Sequence, residues 1–286
     1  MPDLSCYTMQ VPIQHIYKPS HDGNGLLYAW FLSMHTRVDI ILYSQKAEEE
    51  LLLVVNRMYD ALCRLEKIAN FYDPASELSF VNRTASVSPV VLSEELYSMI
   101  DLCLEYNEKT LGCFDVTVHS ENYNQNTIHS VHLSPEDHSI YYSQPGIAVN
   151  LSGFLKGYAL ETIKTILNEC VIENALINMG NSSVLALGNH PVGTGWRVND
   201  ILLYDECLTT SGNDSPERRH IVSPQDGKLV EGARQISVVT TNGATALFAA
   251  DSEQRKALMG IYAHCRVYIY PPCWTYIPTI TVLESL

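Results

Sequence analysis

Between residues 174 and 241, strand-like runs follow one another with no helical pattern between them. These short runs, separated by polar or glycine-containing turns, are NALINM, SVLALG, GWRVNDILLY, CLTTSG and RQISVVTT. A doubly wound fold needs a crossover, usually a helix, between successive parallel strands. The order of the runs therefore favours an α+β fold with a largely antiparallel mixed sheet and flanking helices.

Apolar residues at spacings of three and four predict the flanking helices. One runs from Lys46 to about Phe71, one begins after Ser93 as N-cap and stops near Gly112, one opens at Ser152, and one spans 244–258. A strand around Val38–Leu42 and a hairpin around the turn Ser134-Pro135-Glu136-Asp137 complete the pattern. Because no repeat or Pro/Ser linker interrupts the chain, we expect one domain over residues 1–286.

Charge and composition exclude several classes of function. The net charge of −14 and pI near 5.0 argue against a grip on nucleic acid, which needs a dense Lys/Arg face. No apolar run reaches the roughly 18–20 residues of a membrane helix, and the start shows no signal peptide or lipoprotein signal, so a cytoplasmic location is expected. Eight scattered cysteines without a CxxC pair indicate a reducing compartment and argue against zinc.

The stretch NLSGFLKGYALETIKTIL, residues 150–167, places Ser152, Gly153 and Lys156 together at the start of a helix. Unpaired N–H groups and the positive end of the helix dipole favour phosphate binding there, and Lys156 would add a point charge. The alternative is an ordinary capped helix with a solvated lysine, since caps are common.

Two further polar stretches allow a functional and a structural interpretation. NMGNSSVLALG, residues 178–188, is suited to close approach of the backbone to a ligand or to a plain hairpin turn. TTSGNDSPERRHIVSPQDGK, residues 209–228, is either a functional loop containing His220 or a solvated surface loop. The chain contains no GxGxxG after a strand, GxxxxGK[ST], HExxH or GxSxG pattern.

The order of these segments resembles the ApbE family of flavin transferases, also described as FAD:protein FMN transferases. The resemblance covers about residues 34–248 and rests on SMHTRV, LEKIANFYDPASELSFVN, EKTLGCFDVTV, VNLSGFLKGYALE, LINMGNSSVLALG and TSGNDSPERRHIVSPQDGK, each similar to a family motif. It implies an ApbE-like, T-fold-like domain whose first 30 or so and last 25 or so residues diverge. Members transfer FMN from FAD to a Thr hydroxyl of a partner flavoprotein in a Mg²⁺-dependent reaction that releases AMP.

The resemblance also implies the roles of individual residues. His220 and Lys156 would be catalytic, and Gly153 and Thr245 would bind magnesium. The FAD-binding residues would be Met34, Tyr72, Cys113, Phe114, Asp115, Asn150, Ser152, Lys156 and His220.

The sequence departs from the family pattern mainly at acidic positions. Asn150, Ser182 and Ser223 stand where the family has Asp, and Thr241 stands where it has a metal-binding Asp. His35 and Asn181 stand at glycine positions of the pattern. Because Mg²⁺ usually relies on one or two carboxylates, a weakened metal site is expected. The alternatives to transferase activity are a catalytically degenerate FAD- or nucleotide-binding protein and an FAD pyrophosphatase.

Overall fold

An eight-stranded antiparallel sheet dominates the computed structural model, which describes residues 13–212, 221–230, 235–241 and 265–270. The strands are β1 (Gln14–Pro19), β2 (Gly25–Ser33), β3 (Thr36–Ser44), β4 (Val90–Val91), β5 (Val131–Ser134), β6 (Ser139–Tyr142), β7 (Asn174–Met179), β8 (Ser183–Leu187), β9 (Trp196–Val198), β10 (Ile201–Leu203), β11 (Glu206–Gly212), β12 (Gln235–Thr240) and β13 (Arg266–Tyr270). The large sheet has the order β1-β2-β3-β7-β8-β11-β12-β13, while β4-β6-β5 and β9-β10 form small sheets. The predicted α+β class and antiparallel pairing are confirmed.

The helices of the described residues are α1 (Glu48–Ala69), α2 (Glu77–Thr84), α3 (Glu94–Lys109) and α4 (Ser152–Glu169), with a short 3-10 helix at Thr127–Ser130. Two of these helices, α1 and α4, pack against the large sheet, and α2 and α3 pack on α1. Alternate residues of β2, Leu27, Ala29 and Phe31, join the main core with Met58 of α1 and Ile163 of α4. A second apolar cluster on the sheet includes Trp196 of β9. Every second residue of β2 and one face of each of α1 and α4 are thus buried together, and the core lies in a layer between the sheet and these two helices.

The predicted helices α1, α3 and α4 are present. Ser93 accepts a hydrogen bond from the Leu96 N–H at 3.2 Å, as its predicted capping role requires, and Gly112 follows α3 with a φ of 74°. The sequence patterns did not predict α2 or β1. The predicted helix over 244–258 lies outside the described residues, and the single domain over 1–286 stays a prediction.

Asn82 of α2 fixes the segment that leads into α4. Its Nδ2 donates to the Val149 carbonyl at 2.9 Å, and its Oδ1 accepts from the Val149 N–H and the Tyr142 hydroxyl, each at 2.9 Å. The Asn82 amide therefore gives the N–H and the carbonyl of Val149 the hydrogen-bond partners that a neighbouring strand would provide. Asn150, the next residue, takes its position from this contact.

We expect Asn82→Ala to lower the free energy of unfolding by about 2–4 kcal/mol, because it leaves buried polar groups without partners. Urea denaturation of the two proteins measures this difference. Asn56→Ala is the matched control, because the Asn56 amide is exposed and donates only to the Leu52 carbonyl of its own helix. Equal denaturation midpoints for Asn82→Ala and the unmutated protein would contradict the assigned role.

No helix among the described residues is long and apolar enough to span a lipid bilayer.

Candidate functional site

One pocket contains nine of the residues predicted to bind ligand or metal. It has a volume of about 710 Å³, within the range of small-molecule sites. The nine predicted residues that line it are Met34, Tyr72, Cys113, Phe114, Asp115, Asn150, Ser152, Gly153 and Lys156. They come from the β2–β3 turn, the end of α1, the loop after α3 and the start of α4. The other two predicted residues, His220 and Thr245, lie outside the described residues.

The first turn of α4 leaves a backbone donor facing this pocket. Leu151 is the N-cap and Ser152 the first helical residue, and Asn150 Oδ1, one residue before the cap, accepts from the Ser152 N–H at 2.9 Å. Among the described residues, no acceptor bonds the N–H of Gly153. A Cβ at Gly153 would find only Phe114 Cε2, at 4.0 Å, so the protein leaves space beside this glycine. An N–H at the positive end of a helix dipole, on a residue with open space beside it, fits an anionic oxygen.

Lys156 places an ammonium group in the same pocket. Its Nζ donates to Ser182 Oγ at 3.2 Å, and that hydroxyl donates in turn to the Met179 carbonyl at 3.3 Å. Burial lowers the pKa of Lys156. An ammonium has three donors, and the serine uses one of them. A bound phosphate would supply acceptors for the others and would oppose the lowering of the pKa.

The loop after α3 is held in place by its own polar side chains. Asn107 Nδ2 donates to the Phe114 carbonyl at 2.7 Å, and Thr110 Oγ1 accepts from the Phe114 N–H at 3.1 Å. Asp115 Oδ1 accepts from the N–H and the hydroxyl of Thr117, at 2.7 and 2.6 Å. Together these bonds fix Cys113, Phe114 and Asp115 as one wall of the pocket.

Glu66 is a pocket residue that the sequence reasoning missed. Its two oxygens accept from the Met34 N–H at 2.7 Å and from the Ser33 hydroxyl at 3.0 Å. Met34 and His35 form the two-residue β2–β3 turn with φ of 51° and 56°. Such turns favour Asn and Gly, and other L-residues are strained in this region. Glu66 therefore stabilises a strained turn whose two residues both line the pocket.

We expect Glu66→Ala to lower the free energy of unfolding by about 2–3 kcal/mol, because the turn loses both of these hydrogen bonds. Asp60→Ala removes the same charge from an exposed position of α1 and is expected to change stability by less than about 0.5 kcal/mol. Chemical denaturation of both variants tests this difference. A midpoint for Glu66→Ala equal to that of Asp60→Ala would show that the turn does not depend on the carboxylate.

His119 is a second pocket residue that was not predicted. Because the Ser152 N–H can only donate, it fixes Asn150 Oδ1 as the acceptor and turns Asn150 Nδ2 towards His119 Nδ1, at 3.4 Å. The accepting Nδ1 then leaves the hydrogen of a neutral imidazole on Nε2. Burial lowers the pKa of His119, which favours this neutral form. The ring thus offers one N–H donor to an oxygen of a ligand.

The chemistry of the lining fits a flavin nucleotide. Lys156 and the Gly153 N–H provide an anion-binding end, and Tyr72, which is 67% exposed, provides an aromatic ring beside the pocket. Exposed aromatic rings stack on planar heterocycles, and helix N-termini bind phosphates. The two kinds of contact match the planar ring and the phosphate that every nucleotide has, flavin nucleotides included.

The described residues do not fit a magnesium site built from protein carboxylates. Within them, no group of three or more His, Cys, Asp or Glu side chains could hold a metal ion. Glu66 and Asp115 line the pocket, but they already accept hydrogen bonds from the protein. Thr241 lies just past the end of β12 that pairs with Cys207, and its carbonyl accepts from Lys164 Nζ at 3.0 Å. The predicted ligand Thr245 is outside the described part of the chain.

Comparison with known proteins agrees with this fold. The family model described as ApbE family matches residues 34–264. The FAD:protein FMN transferase of Chlamydia muridarum is 24% identical over 275 residues, covering 81% of this chain and 85% of that protein. The corresponding protein of Chlamydia trachomatis is 23% identical and covers 79% and 82%.

Solved structures show the same fold. The flavin transferase ApbE from Vibrio cholerae superposes with a TM-score of 0.71 at 18% identity, covering 90% of this chain and 93% of that one. The ApbE protein from Thermotoga maritima gives a TM-score of 0.71 at 20% identity, covering 85% and 94%. At these identities the likeness concerns the fold, whereas the family model matches well over half of the sequence. The chain belongs to the ApbE family.

Proposed function

We propose that this protein is an FAD:protein FMN transferase. It binds FAD in the pocket at the start of α4 and transfers the FMN portion to a Thr hydroxyl of a partner flavoprotein, with release of AMP. The observation that carries the proposal is the convergence of separate chain segments on one pocket with an anion-binding end. The names of the curated relatives support the same activity.

Positioning and charge neutralisation supply most of the catalysis in phosphoryl-type transfers. Lys156 and the Gly153 N–H hold diphosphate oxygens, and Tyr72 contacts the flavin ring. The acceptor hydroxyl oxygen forms a bond to the phosphorus of the FMN portion. The bond from that phosphorus to the bridging oxygen breaks, and the bridging oxygen leaves with AMP. Negative charge grows on oxygens that already face the ammonium, so the same contacts strengthen during the reaction.

The proton of the acceptor hydroxyl needs a base, and Asn150 cannot serve as one because an amide does not take up a proton near neutral pH. Its amide also makes two bonds within the protein, from the Ser152 N–H to Oδ1 and from Nδ2 to His119. We assign proton removal to His220. His220 directly precedes Ile221, which lines the pocket.

Magnesium enters the proposal as a cation held mainly by phosphate oxygens of FAD. Mg²⁺ commonly binds in this way, keeping several waters and few protein ligands. Gly153 and Thr245 stay its predicted protein ligands. We expect EDTA to stop transfer and excess Mg²⁺ to restore it.

The direct test incubates the full chain with FAD, Mg²⁺ and a Thr-containing flavoprotein domain. We expect a mass increase on the acceptor equal to one FMN and release of an equal amount of AMP. An acceptor with its target Thr changed to Val is the control. If neither adduct nor AMP appears under conditions where FAD binds, the transferase assignment fails.

A second candidate function is binding of FAD without transfer, favoured by the amide of Asn150 at a position where the family has a carboxylate. The same assay separates it from the first, since FAD would bind without AMP release. AMP and free FMN without any acceptor would instead identify an FAD pyrophosphatase.

A further inference from the structure

One side of the pocket is formed by residues 221–230, which we call the wall hairpin. Val222 pairs with Leu229 across it, and the Val230 N–H donates to the Ile221 carbonyl at 2.8 Å. Its turn is closed by the Gly227 N–H, which donates to the Ser223 carbonyl at 2.9 Å. Ile221, Val222 and Pro224 line the pocket. The position of this hairpin therefore sets the width of the pocket.

Tyr123 connects the wall hairpin to the neighbouring wall, which contains Asp115. Its hydroxyl lies 2.9 Å from Asp115 Oδ2 and 2.8 Å from the Pro224 carbonyl oxygen. A phenol carries one hydrogen, so these two acceptors share a single donor that lies between the walls. Burial, together with the charge of Asp115, raises the pKa of Tyr123, which keeps the hydroxyl protonated.

The ring of Tyr123 contacts the hairpin as well. A Cβ at Gly227 would lie 3.0 Å from Tyr123 Cδ1, and Gly227 has a φ of 68°, so the glycine allows both the turn and the ring contact. Gln125, two residues further along, donates from Nε2 to the Gln225 carbonyl at 3.4 Å. Two side chains of one loop thus hold the backbone of the hairpin turn.

We propose that Tyr123 is a positioning residue that holds the wall hairpin against Asp115 and so keeps the pocket at the width its ligand requires. The identity of that ligand as FAD rests on the proposed function. Ile221 begins the hairpin. The contact of Tyr123 with the hairpin therefore also helps to fix the position of Ile221, the residue that follows the predicted catalytic His220 in the sequence.

Tyr123→Phe in the full chain tests the proposal, because it removes the hydroxyl and keeps the ring. Lys228 provides the readout, since its side chain is 81% exposed and trypsin cleaves after lysine. We expect cleavage after Lys228, followed by mass spectrometry, to become several-fold faster without FAD. We also expect the KM for FAD to rise about 5- to 20-fold, as loss of one or two hydrogen bonds implies. The kcat should fall by a smaller factor, and the Tm should fall by about 2–8 °C, because Asp115 Oδ2 and the Pro224 carbonyl lose their shared donor.

Tyr141→Phe is the control, because Tyr141 lies on β6 and its ring stacks on His132 away from the pocket residues. Gln125→Ala removes only the 3.4 Å contact and should accelerate the same cleavage to a smaller extent without lowering Tm. If Tyr123→Phe is too unstable to assay, the cleavage rate of Gln125→Ala tests the proposal in its place. Unchanged cleavage and unchanged KM in the variants would overturn the proposal. Faster cleavage of Tyr123→Phe with no FAD binding by the unmutated protein would support the role of Tyr123 and reject the flavin assignment.

Discussion

Lys156→Met is expected to weaken FAD binding by roughly 10- to 100-fold, the effect of losing one charge-assisted hydrogen bond to a phosphate, or slightly more. Methionine keeps the length and the apolar stem of lysine while removing its charge. We expect no loss of stability, because burial already disfavours the ammonium, as its lowered pKa indicates. Titration of FAD by fluorescence and thermal unfolding of the same samples measure both effects.

Lys164→Met is the matched control. Lys164 lies on the same helix, about 12 Å further along its axis, and its Nζ donates to the Thr241 carbonyl. The substitution makes the same change in net charge, so any general electrostatic effect on an anionic ligand is nearly equal. We expect its FAD affinity to stay within about twofold of the unmutated protein. Equal loss of affinity in both variants would show that Lys156 does not contact the phosphates.

Gly153→Ala is expected to change stability and ligand binding in opposite directions. Alanine is the better helix former, and the nearest protein atom to the added Cβ is Phe114 Cε2 at 4.0 Å, so we expect a gain of about 0.5 kcal/mol and a slightly higher Tm. The methyl group would occupy open space beside this residue, where we expect a phosphate oxygen to approach the N–H. FAD affinity should therefore fall by at least roughly 10-fold, the effect of displacing a phosphate from a helix N-terminus.

Gly193→Ala is the control for this substitution, because a Cβ at Gly193 meets nothing within 4 Å and Gly193 does not line the pocket. Thermal unfolding and FAD titration of the two alanine variants give the comparison. If Gly153→Ala binds FAD as tightly as the unmutated protein, no ligand atom approaches this part of α4.

The helices predicted from the sequence were those with a long apolar face. α1 spans 22 residues and α3 spans 16, so several turns repeat the same pattern in each. α2 spans only eight residues, ELSFVNRT, and includes serine, asparagine and threonine, which are weak helix formers. Its helix depends on Ser76, which caps it by accepting from the Ser79 N–H, and on packing against the core, and neither is visible in a short pattern.

The residues of the candidate site also fall into two groups, those that were predicted from the sequence and those that were not. Ser152, Gly153 and Lys156 were predicted from the pattern at the start of the helix, Asn150 was predicted through the family resemblance, and all four line one pocket. Glu66 and Tyr123 were not predicted, because their roles exist only in contacts between distant segments. Glu66 bonds a residue 32 positions away, and Tyr123 bonds one 101 positions away. Only the packing of α1 against β2 and the position of the wall hairpin bring these pairs together.

The central claim is that the start of α4 binds the phosphates of a flavin nucleotide, and a paired titration with FAD and riboflavin tests it most directly. The two ligands share the isoalloxazine ring, but riboflavin has no phosphate. We expect FAD to bind at least roughly 100-fold more tightly than riboflavin, and most of that difference to disappear in Lys156→Met. Equal affinity for the two ligands, unchanged by the substitution, would contradict a phosphate site at Gly153 and Lys156.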